Sequence, residues 1–158
     1  MKKSILLMLF CFSFILSACS QVEEDTQEYS GIISDGKIFD YEYSVTKEQN
    51  KFTWKVGNKG NISIIEENAT NQDDLVNYKN AVNGSELEFA KLIIAVAYIL
   101  FVLIITLILY KKNRKMLKDG SIIAAALTGI AVYIAFKAAF DLSSLLQDTK
   151  YYYLILTN

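Results

Sequence analysis

Residues 92–110 run Leu-Ile-Ile-Ala-Val-Ala-Tyr-Ile-Leu-Phe-Val-Leu-Ile-Ile-Thr-Leu-Ile-Leu-Tyr, nineteen residues without a charge, with Thr106 and two tyrosine hydroxyls as the only polar side-chain groups. A helix rises ~1.5 Å per residue, so the run covers ~28 Å, close to the ~30 Å of a bilayer's hydrocarbon core. Lys91 and Lys111 bracket it. Ahead of it, Ser85-Glu86-Leu87-Glu88 has the Ser-x-x-Glu form of a capping box. The pattern therefore predicts a first transmembrane helix over residues 85–110. A second apolar run, residues 122–140, is also nineteen long and carries Lys137 as its only charge; it predicts a second span over residues 121–140. A chain containing both cannot be an ordinary soluble domain. Its 53% hydrophobic content is concentrated in these two runs and one near the N-terminus.

Between the spans, residues 111–120 carry Lys111, Lys112, Arg114, Lys115 and Lys118 against a single acid, Asp119. Short basic loops stay on the cytoplasmic side, so these five residues are topogenic and the hairpin's other ends face outward. Residues 20–91 show the opposite balance, with fourteen acidic and seven basic residues. Charge is thus sorted by compartment although the formal net charge is only −1. Outside the short loop no basic stripe with interleaved aromatics occurs, which argues against a nucleic-acid partner.

The outward-facing polar region is read as one small domain, residues 31–84. Phe39, Tyr41, Tyr43 and Val45 alternate with Asp40, Glu42 and Ser44, the period of a half-buried strand. Asp35-Gly36 has the residue types of a tight hairpin turn. Phe52, Trp54 and Val56 alternate again, and after Gly57-Asn58-Lys59-Gly60 so do Ile62 and Ile64. These predict a four-strand antiparallel meander whose apolar face holds Phe39, Tyr41, Tyr43, Val45, Phe52, Trp54, Val56, Ile62 and Ile64. Leu75, Tyr78, Lys79 and Val82 recur at helical spacing after Asp73-Asp74, predicting a short covering helix that stops at Asn83-Gly84. The fold class expected is membrane α+β: a small meander with a short helix, then a two-helix transmembrane hairpin. A core that thin leaves two readings of Tyr41, Tyr43, Phe52 and Trp54, as plain core or as an exposed recognition face.

The second span has small residues at four-residue steps, Ala125 and Gly129, then Ala131, Ala135 and Ala139. Such spacing lets helix backbones approach closely, either within the hairpin or against another membrane protein. Lys137 stands four residues from Asp141, a spacing that permits an ion pair. Residues 141–158 form an outer tail in which Leu142, Leu145 and Leu146 suit an interface. Tyr151-Tyr152-Tyr153 suits an aromatic belt or, alternatively, a strand added to the sheet.

At the N-terminus, Lys2-Lys3 precedes an apolar run over residues 5–16, the form of a secretory signal. It ends in Leu16-Ser17-Ala18-Cys19, which resembles the lipobox of bacterial lipoprotein precursors. The resemblance covers these four residues and the signal before them. It implies that residues 1–18 are removed and that Cys19 becomes the first mature residue, thioether-linked to diacylglycerol at the outer face of a bacterial cytoplasmic membrane. Residues 19–30 would then hold the lipidated cysteine and an acidic, solvated tether.

Cys11 lies in the signal and Cys19 in the lipobox, so no disulfide framework is expected. The chain has no histidine, which removes histidine-ligated metal sites and Ser-His or Cys-His pairs. Asp40, Glu42, Asp73 and Asp74 have no nucleophile–base pair, phosphate loop or metal-ligand spacing beside them. Neither an enzyme, a metal nor any cofactor beyond the acyl anchor is expected. The reading is a lipid-anchored membrane protein, in contact with membrane lipid, that binds and modulates another envelope protein in an accessory, regulatory or immunity-type role. The alternative is an extracytoplasmic small-ligand sensor that relays through the hairpin.

Overall fold

The computed structural model describes residues 31–48, 51–112 and 114–157. Four strands, β1 (Gly31–Ile38), β2 (Tyr41–Glu48), β3 (Lys51–Asn58) and β4 (Asn61–Glu66), form one antiparallel sheet in sequence order. Two helices follow, α1 (Gln72–Lys112) and α2 (Arg114–Thr157), both long and apolar enough to cross a membrane. The meander is as the alternation predicts, and its joints differ from expectation in three places.

The first turn lies at Phe39-Asp40 and not at Asp35-Gly36, which pair within β1 against Ser44 and Tyr43. The glycine serves the core. A Cβ on Gly36 would lie 2.6 Å from Cε1 of Tyr43 and 2.8 Å from Oδ1 of Asn83, so only glycine lets the tyrosine ring cross β1. Phe39 takes the positive φ instead, at 50°. The turn between β3 and β4 has φ of 52° at Lys59 and 81° at Gly60, the double positive φ of a type I′ hairpin. The two turns are joined by Lys59 N–H donating to the Asp40 carbonyl at 3.0 Å.

The second difference is the parity of β4. The two-residue turn pairs Asn58 with Asn61, which sets Val56 opposite Ser63 and Trp54 opposite Ile65. Ile65 therefore packs on the core, while Ile62 and Ile64 point to the other face and stand 57% and 70% exposed. Each residue of slip exchanges the two faces of a strand. The core is Ile38, Tyr43, Val45, Trp54 and Val56 from the sheet with Leu75, Tyr78 and Val82 from α1. Phe39, expected inside, is half exposed at the turn.

Helix α1 starts as the sequence suggests. The Asn68 side chain accepts from the amides of Thr70 and Asn71, and Asp73 and Asp74 occupy the positive end of the helix dipole. It then runs through Asn83-Gly84 without stopping, for 41 residues or ~62 Å. Both supposed breakers are committed to packing. Asn83 Oδ1 accepts the Tyr43 hydroxyl at 2.9 Å, and Gly84 lets Leu145 of α2 approach, its Cδ1 lying 3.2 Å from where a Cβ would be. Ser85, expected as a cap, is fully buried inside the helix and its Oγ has no partner. The covering helix and the first apolar run are therefore one rod.

α2, 44 residues long, packs against α1. Its C-terminal half is helical and not an added strand. Leu146, Tyr152, Tyr153 and Leu156 pack on the core, and the Tyr153 ring meets Tyr41 edge-on at 5.9 Å. The sheet lies across the rod. β1 meets α1 at Asn83 through Gly36, β2 meets it at Asn83 and Tyr78, β3 meets it at Tyr78, and β4 leads through Asn68 and Asn71 into its first turn. β1 is thus the strand nearest the apolar run.

Candidate functional site

Tyr78 fastens the sheet to the rod. Its side chain is fully buried beneath the two central strands, and its hydroxyl is 3.2 Å from the carbonyl oxygens of both Glu42 and Gly57. Burial pushes its pKa well above the ordinary tyrosine value, with the Tyr153, Tyr41 and Glu42 charges adding to the shift. The neutral phenol that results can donate but not act as a base near neutral pH. Trp54 is buried beside Tyr43, and its Nε1 donates to Glu67 Oε2 at 2.7 Å. Tyr43 and Trp54 are thus buried in the core, while Tyr41 and Phe52 are partly buried at its margin. The reason is the length of α1 and the return of α2, which together cover a face that one short helix could not.

The face left open is the opposite one. There Gly57 forms the floor of a shallow hollow of about 310 Å³, with Asp35, Lys37, Glu42 and Lys55 around it and Ile32 and Ile62 at its sides. Glu42 folds over Gly57, where a Cβ would sit 2.7 Å from its Cγ, and pairs with Lys37 at 3.2 Å. Sequence reasoning missed this surface because it assigned Ile62 and Ile64 to the interior. The signal that could have found it is the two-residue Lys59-Gly60 turn, which fixes the parity of β4.

Gly129 does not serve the contact between the helices. A Cβ there would meet nothing within 4 Å, and Ala125 is likewise exposed. The residues turned inward are Ala131, Ala138, Leu142 and Thr149, with Ser85 and Ala95 on α1. Their spacing approaches the seven-residue repeat of a coiled-coil seam. A second, strongly apolar groove of about 360 Å³ lies between Lys91, Ala95 and Tyr98 of α1 and Leu127, Ala131 and Ile134 of α2. Lys91 is held by Glu88 at 2.6 Å. No ion pair joins Lys137 and Asp141; among the described residues the pairs are Lys37–Glu42, Lys51–Glu66 and Lys91–Glu88.

The basic junction is tighter than the ten-residue loop expected. Lys111 and Lys112 form the last turn of α1, and Arg114, Lys115 and Lys118 fall in the opening turns of α2. Cys19 and the tether lie outside the described residues. Among the described residues no group of three or more acidic or cysteine side chains could hold a metal ion. Compared with protein-family models, with curated protein sequences and with solved structures, the chain matches none.

Proposed function

We propose that this chain is a non-enzymatic, lipid-anchored membrane protein that binds and modulates another envelope protein. In this reading residues 1–18 are the signal, Cys19 carries diacylglycerol, and residues 92–110 and 122–140 cross the cytoplasmic membrane as a hairpin. The basic junction is cytoplasmic and the sheet extracytoplasmic. Lipobox and junction support the same orientation independently.

The observation that carries the proposal is the continuity of α1, one helix from Leu75 beneath the sheet to Lys112. A domain held only for retention needs no helix in common with its anchor. Here a force on the sheet moves the spans as a lever, so the hairpin serves assembly or transmission. The acyl anchor is compatible with that geometry. Gly31 opens the strand that meets the rod at Asn83, about nine residues or ~13 Å above the apolar run. Twelve residue steps separate Gly31 from Cys19 and reach up to ~40 Å.

The hollow over Gly57 favours one second reading, a small-ligand sensor relaying along the same rod. Photo-crosslinkers at Ile64, on the open sheet face, and at Gly129, on the outward face of α2, test the first reading in native membranes. Recurrent capture of one envelope protein at the same position supports it. Capture of lipid and self-products alone at both positions sinks it and leaves the sensor. Intact mass of the mature chain tests the anchor, which requires a first residue at Cys19 carrying diacylglycerol.

A further inference from the structure

The β1–β2 turn is built where a soluble domain would not build it. Phe39 at its tip combines a large side chain with a φ of 50° and remains 52% exposed. Phenylalanine is unfavourable in that backbone region and an exposed ring adds nothing to the core, so the position is costly on both counts. The ring is not isolated. It meets Phe89 edge-on at 5.1 Å, and Phe89 stands three residues, or ~4.5 Å, before the charge-free run that starts at Leu92. Gly84 of α1 faces Leu145 of α2, and Tyr98 of α1 and Ala131 of α2 line one groove. That antiparallel register sets Phe140, 77% exposed, at the height of Phe89. Phe39 and Phe89 therefore meet at this end of the apolar rod, and Phe140 stands level with them. Lys59 lies beside them on the neighbouring turn, its amide bonded to the Asp40 carbonyl.

We infer that this end of the sheet rests in the outer leaflet, with Phe39, Phe89 and Phe140 as its aromatic belt and Lys59 directed at anionic headgroups. The inference depends on residues 92–110 spanning the membrane, as proposed above. The headgroup layer extends several ångströms beyond the hydrocarbon on each side, and rings three residues above Leu92 fall within it. Phenylalanine serves as an apolar anchor at that depth, and a lysine there gains attraction to anionic lipid. The belt expected at Tyr151, Tyr152 and Tyr153 is not available for this role. Tyr153 packs on Tyr41 near the far end of the rod. A domain resting on the surface through Phe39 is fixed in tilt as well as in height.

The test uses the full chain in vesicles of phosphatidylcholine and phosphatidylglycerol, with p-benzoylphenylalanine in turn at Phe39, Ile64 and Ile104. Ile104 is mid-span and exposed, and Ile64 is on the strand farthest from the rod's apolar end. The expected result is lipid adducts at 39 and 104 and none at 64. K59E should lower the yield at 39 about fivefold in anionic vesicles and leave the yield at 104 unchanged. Adducts at 104 without adducts at 39 overturn this inference and leave the membrane reading standing. Absence of adducts at 104 overturns both.

Discussion

The hydroxyl of Tyr78 lies 3.2 Å from the Glu42 carbonyl oxygen and 3.2 Å from that of Gly57, so one side chain of α1 ties the two central strands to the rod. Tyr78→Phe removes that donor while keeping the ring. The expected loss is about 1–2 kcal/mol, because two buried carbonyls lose a donor, and Tyr78→Ala should cost about 3–5 kcal/mol by opening a cavity. Thermal unfolding in detergent, followed by the single tryptophan, Trp54, measures both.

The same residue sets an alkaline limit. Burial raises the Tyr78 pKa in the folded chain above the ordinary value of about 10. Below that value both folded and unfolded phenols are protonated and the contribution is complete. Above it the unfolded phenol ionises while the folded one does not, so unfolding releases a proton and stability falls by up to ~1.4 kcal/mol per pH unit. Tyr41 is pushed the same way, by burial first and then by Asp40 and Tyr153. Unfolding measured from pH 8 to 11 should therefore be flat and then decline. Tyr78→Phe should flatten part of the decline, and an unchanged slope in that variant would place the titration elsewhere.

Gly84 and Leu145 mark the closest approach of the two helices that the glycine geometry reveals. Gly84→Ala brings a methyl to about 3.2 Å from Leu145 Cδ1, a crowding that a flexible leucine absorbs and a gain of ~1 kcal/mol in helix propensity offsets. It should be nearly neutral. Gly84→Leu overfills the seam and should cost about 1–3 kcal/mol. Leu145→Ala combined with Gly84→Leu should recover much of that loss, and a strictly additive double-mutant cycle would show that the two positions do not meet.

What the sequence made legible was periodicity. Alternation at Tyr41, Tyr43 and Val45 and at Phe52, Trp54 and Val56 located the strands, and unbroken apolar runs located the two long helices. What it hid was the use made of turn-forming residues. Asp35-Gly36 and Asn83-Gly84 are local signals for a turn and a stop, yet each glycine packs against a side chain of another element, Tyr43 in one case and Leu145 in the other. Local chemistry cannot reveal which side chain of another element a glycine will meet. The same blindness split α1 in two, left the aromatic face short of cover and made it resemble an open surface. The hollow over Gly57 escaped notice for a different reason, since a single residue of register decides which face Ile62 and Ile64 occupy.

That register has a direct test. Ile64→Lys lies on the open face and should change stability by no more than about 0.5 kcal/mol, as for other exposed sites. Ile65→Lys, one residue on, places a charge against Trp54 and the core and should prevent folding or cost several kcal/mol. Reversed sensitivities would mean that β4 pairs one residue out of the register found here.

The two turns near the apolar run are the last place where stability and position separate. Lys59 has a φ of 52° ahead of Gly60, a position that asparagine fills with less strain, so Lys59→Asn should stabilise the domain by about 0.5–1 kcal/mol. Phe39→Asn relieves a similar strain but gives up the edge-on contact with Phe89, worth about 0.5–1.5 kcal/mol. Its net effect in detergent should be close to zero. In anionic vesicles neither change is neutral if the turns rest on lipid, because one removes the cation and the other the ring. Thermal unfolding in detergent compared with unfolding in vesicles reads the difference: each variant's stability relative to the parent chain should be lower in anionic vesicles than in detergent.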